Sequence, residues 1–460
     1  MNLCHALSLG CLVLTACKGL DMLDFRKAEI VREAELETEP DAEPITDADE
    51  LMTEQESDEQ PVHGTATFFQ WGSTGTEGAY SVAVGPQGNV YIAGDTNGRV
   101  GTDTPFGGTD ILLIKVRPEG STAWIRQWGT PANDSGLAVA VNSSGYVFVA
   151  GSTDGQLDGN PHHGGHDLWI SRLSSDGYRL WTRHWGTSGE DAAHALAVTP
   201  IGDVVVVGRT TTYPAGSTDG NYDIVLMLYD TLGNQARVET FGGEGDDWAW
   251  DVVVDGTGSP YFAGYTTASL DGQPHAGGRD IFVSRVRYGG LESWTRVHGT
   301  QGDEEARAVA LGGGVYAAGF TDDNLGGLPL LGRNDLVEVE YGPEGQWVDT
   351  RQWGTTEHDT IEGLAVDAQG RRYLAGMTKG ELGGRPNAGG GDAYLVRLDE
   401  HGAWQLVEVW GDDEPQFASD LALDEPRQRV YVIGWTTGNL AEGRPEHHGY
   451  DIFMVRYDLL

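Results

Sequence analysis

Carboxylate side chains recur in this sequence at one fixed place, six residues after a Trp-Gly step or its equivalent. A ring of carboxylates can bind a cation such as calcium, recognise a cationic ligand or a sugar, or cap backbone N–H groups at tight turns. All three interpretations are open from the sequence, and no cofactor other than calcium is indicated. The residues are Glu77, Asp134, Asp191, Asp247, Glu304 and Asp359, with Gln416 at the seventh position.

A second acidic position repeats even more strictly. An aspartate follows 15 to 17 residues after the glycine of a Gly-x-Thr motif, at Asp110, Asp167, Asp223, Asp280, Asp335, Asp392 and Asp451. Binding sites usually break the symmetry of a repeat, whereas structural hydrogen bonds preserve it. We therefore expect this aspartate to tie a long loop to a neighbouring strand, with the Gly-x-Thr threonine as its partner.

Two other patterns resemble metal sites only weakly. His162, His163 and His166 lie in one long loop, and we expect them to be solvated or to stabilise turns, because metal ligands must converge on one ion. Residues 219–223 have part of the spacing of a calcium loop, but the sixth position is Ile224 instead of glycine. Paired acids are expected by chance in so acidic a chain, so they do not indicate a glycosidase.

These positions belong to a seven-fold internal repeat, which is the dominant feature of the sequence. The Trp-Gly position recurs in steps of 57, 57, 56, 57, 55 and 57 residues. Its members are Trp71, Trp128, Trp185, Phe241, His298, Trp353 and Trp410.

One unit predicts four short strands, at residues 138–141, 146–150, 167–173 and 180–185. Glycine-containing turns separate the first from the second strand and the third from the fourth. The first two strands are apolar on both faces, so both faces of the sheet must be covered. The sequence therefore predicts an all-β fold, a seven-bladed β-propeller with four-stranded blades. An open solenoid of similar units is the alternative.

The ends of the repeat predict how the ring closes. The seventh unit ends after its third strand, and an additional strand, Thr65–Trp71, precedes the first unit. We expect this N-terminal strand to complete the last blade, whereas in a solenoid it would be unpaired.

The loop sequences LDGNPHHGGHD at 157–167 and LDGQPHAGGRD at 270–280 resemble a bacterial seven-bladed β-propeller repeat family, which is common among exported proteins and lipoproteins. The resemblance covers residues 64–460. It implies the propeller fold and a binding scaffold, and it assigns no catalytic residues.

The N-terminal region resembles a bacterial lipoprotein signal. Leu14-Thr15-Ala16-Cys17 is similar to a lipobox and follows an apolar run that is too short to span a bilayer. We expect a signal peptide at 1–16, a lipidated Cys17 with an acidic tether at 17–62, and the propeller at 63–460. Lys18 after the cysteine implies the outer membrane. An ordinary signal peptide or a buried apolar segment is the alternative.

Charge and loop composition limit the functional classes. With 29 Lys and Arg against 70 Asp and Glu, the net charge of −41 excludes a protein that binds nucleic-acid backbones. We expect a non-catalytic, monomeric, lipid-anchored scaffold at the outer membrane that binds a protein or polysaccharide through its loops, with Leu330 and Leu331 as candidate contacts. The main alternative is a polysaccharide hydrolase or lyase with acids at the channel mouth. A quinone-dependent propeller has no supporting motif.

Overall fold

A computed structural model describes residues 64–212, 222–287, 293–441 and 449–459, all within the compact unit Gln60–Leu460. These residues form seven antiparallel sheets of four strands each. Cys17 and the signal and tether segments lie outside the described residues. No helix among the described residues has the length and apolar composition to cross a bilayer.

The strands of the first four blades follow one another in chain order. Blade 1 contains β2 (Glu77–Val84), β3 (Val90–Thr96), β4 (Asp110–Val116) and β5 (Thr122–Trp128). Blade 2 contains β6 (Asp134–Val141), β7 (Val147–Thr153), β8 (Asp167–Leu173) and β9 (Arg179–Trp185). Blade 3 contains β10 (Asp191–Val198), β11 (Val204–Thr210), β12 (Asp223–Tyr229) and β13 (Gln235–Phe241). Blade 4 contains β14 (Asp247–Val254), β15 (Pro260–Thr266), β16 (Asp280–Arg285) and β17 (Trp294–His298).

The last three blades follow the same order, and blade 7 takes its fourth strand from β1 (Thr65–Trp71). Blade 5 contains β18 (Glu304–Leu311), β19 (Val315–Thr321), β20 (Asp335–Tyr341) and β21 (Trp347–Trp353). Blade 6 contains β22 (Asp359–Val366), β23 (Arg372–Thr378), β24 (Asp392–Leu398) and β25 (Trp404–Trp410). Blade 7 contains β26 (Gln416–Asp424), β27 (Arg429–Thr436) and β28 (Asp451–Asp458). Single turns of 3-10 helix lie at Leu157–Gly159, Leu325–Gly327 and Glu425–Arg427.

The ring closes as the sequence predicts. Strand β1 runs antiparallel to β28 in a register that extends from Thr65 opposite Asp458 to Trp71 opposite Ile452. Trp71 is buried, and its indole Nε1 donates to the hydroxyl of Thr122 in blade 1 at 3.0 Å. The first strand of the propeller therefore binds the last blade to the first. The chain is a seven-bladed β-propeller.

Apolar side chains fill the spaces between blades, which explains why the strands are apolar on both faces. Seven buried clusters each combine residues of two neighbouring blades. One cluster, for example, packs Tyr261 and Ile281 of blade 4 against Val309 and Val337 of blade 5. Because every sheet is covered on both sides, no blade can bury its core alone.

The first strand of each blade is the innermost one, since first strands of neighbouring blades contact each other directly. The antiparallel order places the loops from second to third strand and from fourth strand to the next blade on one side, here called the upper face. The two remaining turn types lie on the lower face. They are tight, as at Gly145, whose φ of 81° suits glycine and whose N–H donates to Asn142 O at 2.9 Å.

Candidate functional site

The predicted ring of carboxylates caps the turns that enter each blade. In every blade the side chain at this position accepts a hydrogen bond from the backbone N–H four residues earlier, at 2.5–3.1 Å. The donor–acceptor pairs are Ser73/Glu77, Thr130/Asp134, Thr187/Asp191, Gly243/Asp247, Thr300/Glu304, Thr355/Asp359 and Asp412/Gln416. Turn capping, one of the three interpretations left open by the sequence, is what these side chains do in the structure.

The threonine of Gly-x-Thr completes this cap. The hydroxyl donates to the acid at 2.8 Å in the Thr96–Glu77 pair and at 2.9 Å in the Thr321–Glu304 pair. Burial raises the pKa of Glu77 and Glu304, and these hydrogen bonds oppose the shift. Burial likewise raises the pKa of Asp247, to about 6. The expectation that this threonine meets the third-strand aspartate is therefore wrong for these blades, because the closer acceptor is the acid that begins the first strand.

The third-strand aspartates hold the long loops, as expected. Asp335 accepts the N–H of Leu331 at 2.9 Å and the side-chain amide of Gln352 on the fourth strand at 3.0 Å. The other carboxylate oxygen lies against the glycine that follows the Trp position of the same blade. A Cβ at that glycine would come within 1.9–3.0 Å of the aspartate Oδ1 in all seven blades. This contact explains why Trp-Gly and the aspartate repeat together.

The described residues contain no group of three or more His, Cys, Asp or Glu side chains that could hold a metal ion. His166 instead contacts the carboxylates of Asp154 and, at 3.4 Å, Glu190. His163 donates its backbone N–H to Asp167 at 2.8 Å. Most of the calcium-like sequence 219–223 lies outside the described residues, and Asp223 begins β12.

A β-bulge interrupts the innermost strand of every blade. Bulges re-aim a side chain and are frequent beside binding sites. The bulge also places a backbone carbonyl against the second strand, where a Cβ on the Gly-x-Thr glycine would lie 1.7–1.9 Å from that oxygen. The glycine is invariant for this reason, whereas the extra residue differs in every blade: Tyr80, Leu137, His194, Trp250, Arg307, Glu362 and Ser419.

Five side chains from blades 3, 4 and 5 form a continuous cluster near the upper ends of the inner strands. We call His194, Arg209, Trp248, Trp250 and Arg307 the mouth cluster. The rings of His194, Trp248 and Trp250 contact one another, with centroids 5.3 Å (His194–Trp248), 4.9 Å (His194–Trp250) and 5.1 Å (Trp248–Trp250) apart. The Nδ1 of His194 is 2.9 Å from the carbonyl oxygen of Ala249 and therefore carries the proton, because a carbonyl can only accept.

Each tryptophan of this cluster also contacts an arginine. The guanidinium carbon of Arg209 lies 4.0 Å from the ring centre of Trp248 and 4.8 Å from that of Tyr222. The guanidinium carbon of Arg307 lies 4.5 Å from the ring centre of Trp250. Cation–π contacts of desolvated guanidinium groups contribute about 2 kcal/mol each.

The two arginines differ in their charge partners. Arg307 shares the fully buried Glu305 with Arg279, and its Nη2 lies 2.9 Å from a Glu305 oxygen. Arg209 has no ion pair or hydrogen bond with the residues that the structure describes, and its Nε is buried without an acceptor. Burial lowers the pKa of Arg209, while the fields of Tyr222, Tyr265, Glu190 and Asp191 oppose that shift.

Acidic side chains connect the inner strands below the mouth. Asp251 accepts the backbone N–H of Val309 in the next blade at 2.8 Å. Asp420 accepts that of Val82 at 2.8 Å and that of Leu421 at 2.7 Å. Burial raises the pKa of Asp251 to about 6 and that of Asp420 to about 7, and the Asp251 charge adds to the second shift. We call Asp251 and Asp420 the blade-linking carboxylates.

The predicted contact leucines lie on the upper face, in the loop between β19 and β20. Leu331 has 42% of its surface exposed, whereas Leu330 is half-buried. The loop backbone is held by hydrogen bonds, one of them from Leu330 N–H to Asn324 Oδ1 at 2.6 Å. Leu331 is therefore an apolar side chain available on the same face as the mouth cluster.

No protein-family model matches the chain. It is 29% identical over 364 residues to the regulatory protein FlaEY of Caulobacter vibrioides, a match that covers 68% of this chain and 38% of that protein. The chain thus corresponds to well under half the length of this curated relative.

Solved structures with a similar chain course include a Dyadobacter fermentans protein of unknown function, at 13% identity and a TM-score of 0.43 over 86% of this chain and 98% of that one. YCF48 bound to a D1 peptide is 11% identical, with a TM-score of 0.47 over 87% of this chain and 96% of that one. The polysaccharide lyase Uly1 is 9% identical, with a TM-score of 0.44 over 83% of this chain and 90% of that one. The fold assignment rests on the seven sheets themselves.

Sequence reasoning missed the mouth cluster, although it used the correct criterion. Residues that break the repeat are the ones free to serve a site, and the residue three positions after the ring acid changes in every unit. Comparing the seven units column by column would have identified His194, Trp250 and Arg307. Arg209 and Trp248 lie at two further columns that vary in the same way.

Proposed function

We propose that this chain is a binding scaffold that engages a protein or polysaccharide partner through the upper face of the propeller. One observation carries the proposal. The side chains that repeat in all blades are engaged in turn caps and loop ties, whereas those at the bulge differ in every blade and gather aromatic and charged groups on one side of the mouth. Architecture and recognition thus use different residues.

The enzyme alternative, a polysaccharide hydrolase or lyase, relied on acids at the mouth. Asp359 illustrates their state, since it accepts hydrogen bonds from Thr355 N–H at 2.6 Å, Thr355 Oγ1 at 2.9 Å and Thr378 Oγ1 at 2.5 Å. A general acid or base must be able to reach a substrate proton. We therefore favour binding over catalysis.

The relative supports the same choice in a general way. FlaEY carries the name of a regulatory protein, and that name assigns it no catalysed reaction. Because the match covers 38% of that protein, the proposal transfers only the idea of a binding module.

We further propose that the scaffold is a monomer displayed at the outer membrane by a lipid on Cys17, with the acidic segment 17–62 as its tether. The lipobox-like residues 14–17 and the following Lys18 support this location. Because anionic lipid headgroups repel a chain of net charge −41, a covalent lipid would be needed to hold it at the membrane.

Partner binding is tested with glycan and peptide arrays probed with the purified propeller. A partner recognised through the upper face should be lost in Trp250→Ala and weakened in a Leu330→Ser/Leu331→Ser variant. Ile201→Ser is the matched control, because Ile201 is an exposed apolar residue on a lower-face turn. Equal loss in the control and in the upper-face variants would contradict the proposal, as would turnover of a polysaccharide that requires one of the ring acids.

Lipid anchoring has a separate test. Cells that express the full chain are labelled with radioactive palmitate and fractionated. We expect label in the chain and its recovery with outer membranes, and loss of both in Cys17→Ala. Label retained in Cys17→Ala, or a wild-type chain without label, would refute the anchor and leave the binding proposal unaffected.

A further inference from the structure

The mouth cluster contains a buried positive charge that forms no ion pair with the residues the structure describes. Arg209 keeps only 8% of its surface exposed and makes no ion pair or hydrogen bond with the described residues. Arginine stays protonated in proteins, and an isolated buried ion costs several kcal/mol. Two aromatic contacts recover only part of that cost. Within the described part of the chain, the buried charge of Arg209 is therefore only partly compensated.

Neighbouring charges do not complete this compensation. Glu305 is shared between Arg279 and Arg307, so these three groups together keep one positive charge. Glu190 and Asp191 act on Arg209 through their fields, but neither is hydrogen-bonded to it within the described residues, and the carboxylate of Asp191 accepts the N–H and the hydroxyl of Thr187 instead. Within a chain of net charge −41, the cluster is a local concentration of positive charge.

The cluster also retains donors and access to solvent. Nε of Arg209 and the indole Nε1 of Trp250 are buried N–H groups without an acceptor among the described residues. Arg209, Trp250, His194 and Arg307 each keep 6–8% of their surface exposed, whereas core side chains such as Phe262 have none. Solvent therefore reaches a small part of each of these four side chains.

We propose that the mouth cluster is a binding site for an oxyanion group, with the guanidinium of Arg209 as its principal donor. The inference rests on the proposed function, because it specifies the chemistry that the upper face recognises. A planar guanidinium offers paired N–H donors that match a carboxylate, sulfate or phosphate. The rings of Trp248 and Tyr222 contact the guanidinium at 4.0 and 4.8 Å and restrict its movement, so little side-chain freedom is lost when the anion binds.

The test uses sodium glucuronate, sulfate and phosphate as separate probes of the purified propeller, with chloride adjusted to constant ionic strength. Constant ionic strength matters because the overall negative charge would otherwise mask a local site. Binding is followed by tryptophan fluorescence and by calorimetry. We expect saturable binding of at least one probe with a dissociation constant of roughly millimolar. The probe that binds identifies the group: glucuronate indicates a carboxylate ligand, and sulfate or phosphate an ester of those acids.

Variants separate this site from a structural role. Arg209→Gln should weaken binding roughly 10- to 100-fold, because it removes charged hydrogen bonds. Arg209→Lys should bind with intermediate affinity, since it keeps the charge but loses the planar pair of N–H donors. Arg183→Gln is the matched control, because it removes one positive charge from an outer strand, where Arg183 donates to Gly233 O at 2.8 Å, and should bind as wild type.

Urea unfolding distinguishes a binding role of Arg209 from a structural one. Removal of an unpaired buried charge should leave the midpoint of Arg209→Gln unchanged or higher, whereas removal of a structural arginine should lower it. The proposal is overturned if no probe binds above the chloride control, if Arg209→Gln binds equally well, or if its midpoint falls. If the oxyanion test fails but Trp250→Ala still loses the array partner, the binding function stands and only the ligand chemistry is wrong.

Discussion

The blade-linking carboxylate Asp420 should make the stability of the propeller depend on pH in an unusual direction. Burial raises its pKa from 3.8 to about 7, with the charge of Asp251 as a further cause. The folded protein therefore binds this proton more tightly than the unfolded chain. The resulting stability is fully present below about pH 4 and is lost as the pH rises through about 7.

The size of the effect follows from the shift. A difference of one pKa unit corresponds to 1.36 kcal/mol, so a shift from 3.8 to about 7 corresponds to about 4 kcal/mol. Asp251, raised to about 6, should contribute about 3 kcal/mol when treated alone. The two contributions should not add fully, because each carboxylate raises the other's pKa when it is charged.

The assay is urea unfolding of the wild type and of Asp420→Asn at intervals between about pH 4 and pH 8. The amide keeps one oxygen acceptor but faces the other backbone N–H with a donor, and this penalty does not change with pH. The informative quantity is therefore how the difference in stability between the variant and the wild type changes with pH. The free energy of unfolding of Asp420→Asn minus that of wild type should rise by about 4 kcal/mol from acid to alkaline pH.

Asp413→Asn is the control, because it removes one negative charge from an exposed loop and corrects for relief of the general repulsion. The free energy of unfolding of Asp413→Asn minus that of the wild type should not change with pH. Asp251→Asn should show a smaller slope than Asp420→Asn, and should also reduce the slope that Asp420→Asn produces. A flat difference for Asp420→Asn, or one no steeper than that of Asp413→Asn, would refute the claim that burial holds this carboxyl protonated near neutral pH.

Three further predictions concern the architecture. Gly376→Ala should unfold the protein or destabilise it by several kcal/mol, because the new Cβ would collide with the carbonyl oxygen of Thr360. Gly256→Ala is the control: its Cβ would meet open space, so the urea midpoint should change little. Asp359→Ala should lower the free energy of unfolding by about 2–4 kcal/mol, because the donors of Thr355 and Thr378 lose their acceptor. An unchanged midpoint in urea unfolding would show that the cap is dispensable. Removing residues 1–71 should lower the melting temperature, and a peptide of residues 64–71, but not a scrambled one, should restore it by pairing with β28.

The repeat in the sequence was sufficient to predict the propeller and its closure. Strand alternation and turn glycines are local signals, and seven copies of them specify seven blades. The prediction that Thr65–Trp71 completes the last blade is confirmed, because all seven residues of this strand pair with β28. The acid at the start of six of the seven blades was also found, with turn capping among its predicted roles.

Side-chain partners were harder to predict, because they depend on distances across a blade. The Gly-x-Thr threonine lies opposite the third-strand aspartate in the ladder, as at Thr96 and Asp110, yet its hydroxyl bonds Glu77 on the other neighbouring strand. Register alone does not show which of two flanking acids a hydroxyl will face.

The sequence by itself thus determined the number of blades, the strands in each blade and the residues that every blade must keep. Tertiary structure decided which of the variable residues meet. His194, Trp248 and Arg307 become neighbours only when three blades pack side by side, and Asp420 reaches Val82 across 338 residues only when the ring closes. The physical reason is that local patterning fixes each strand through its own turns and alternation, whereas bulges and ring closure fix the contacts between blades.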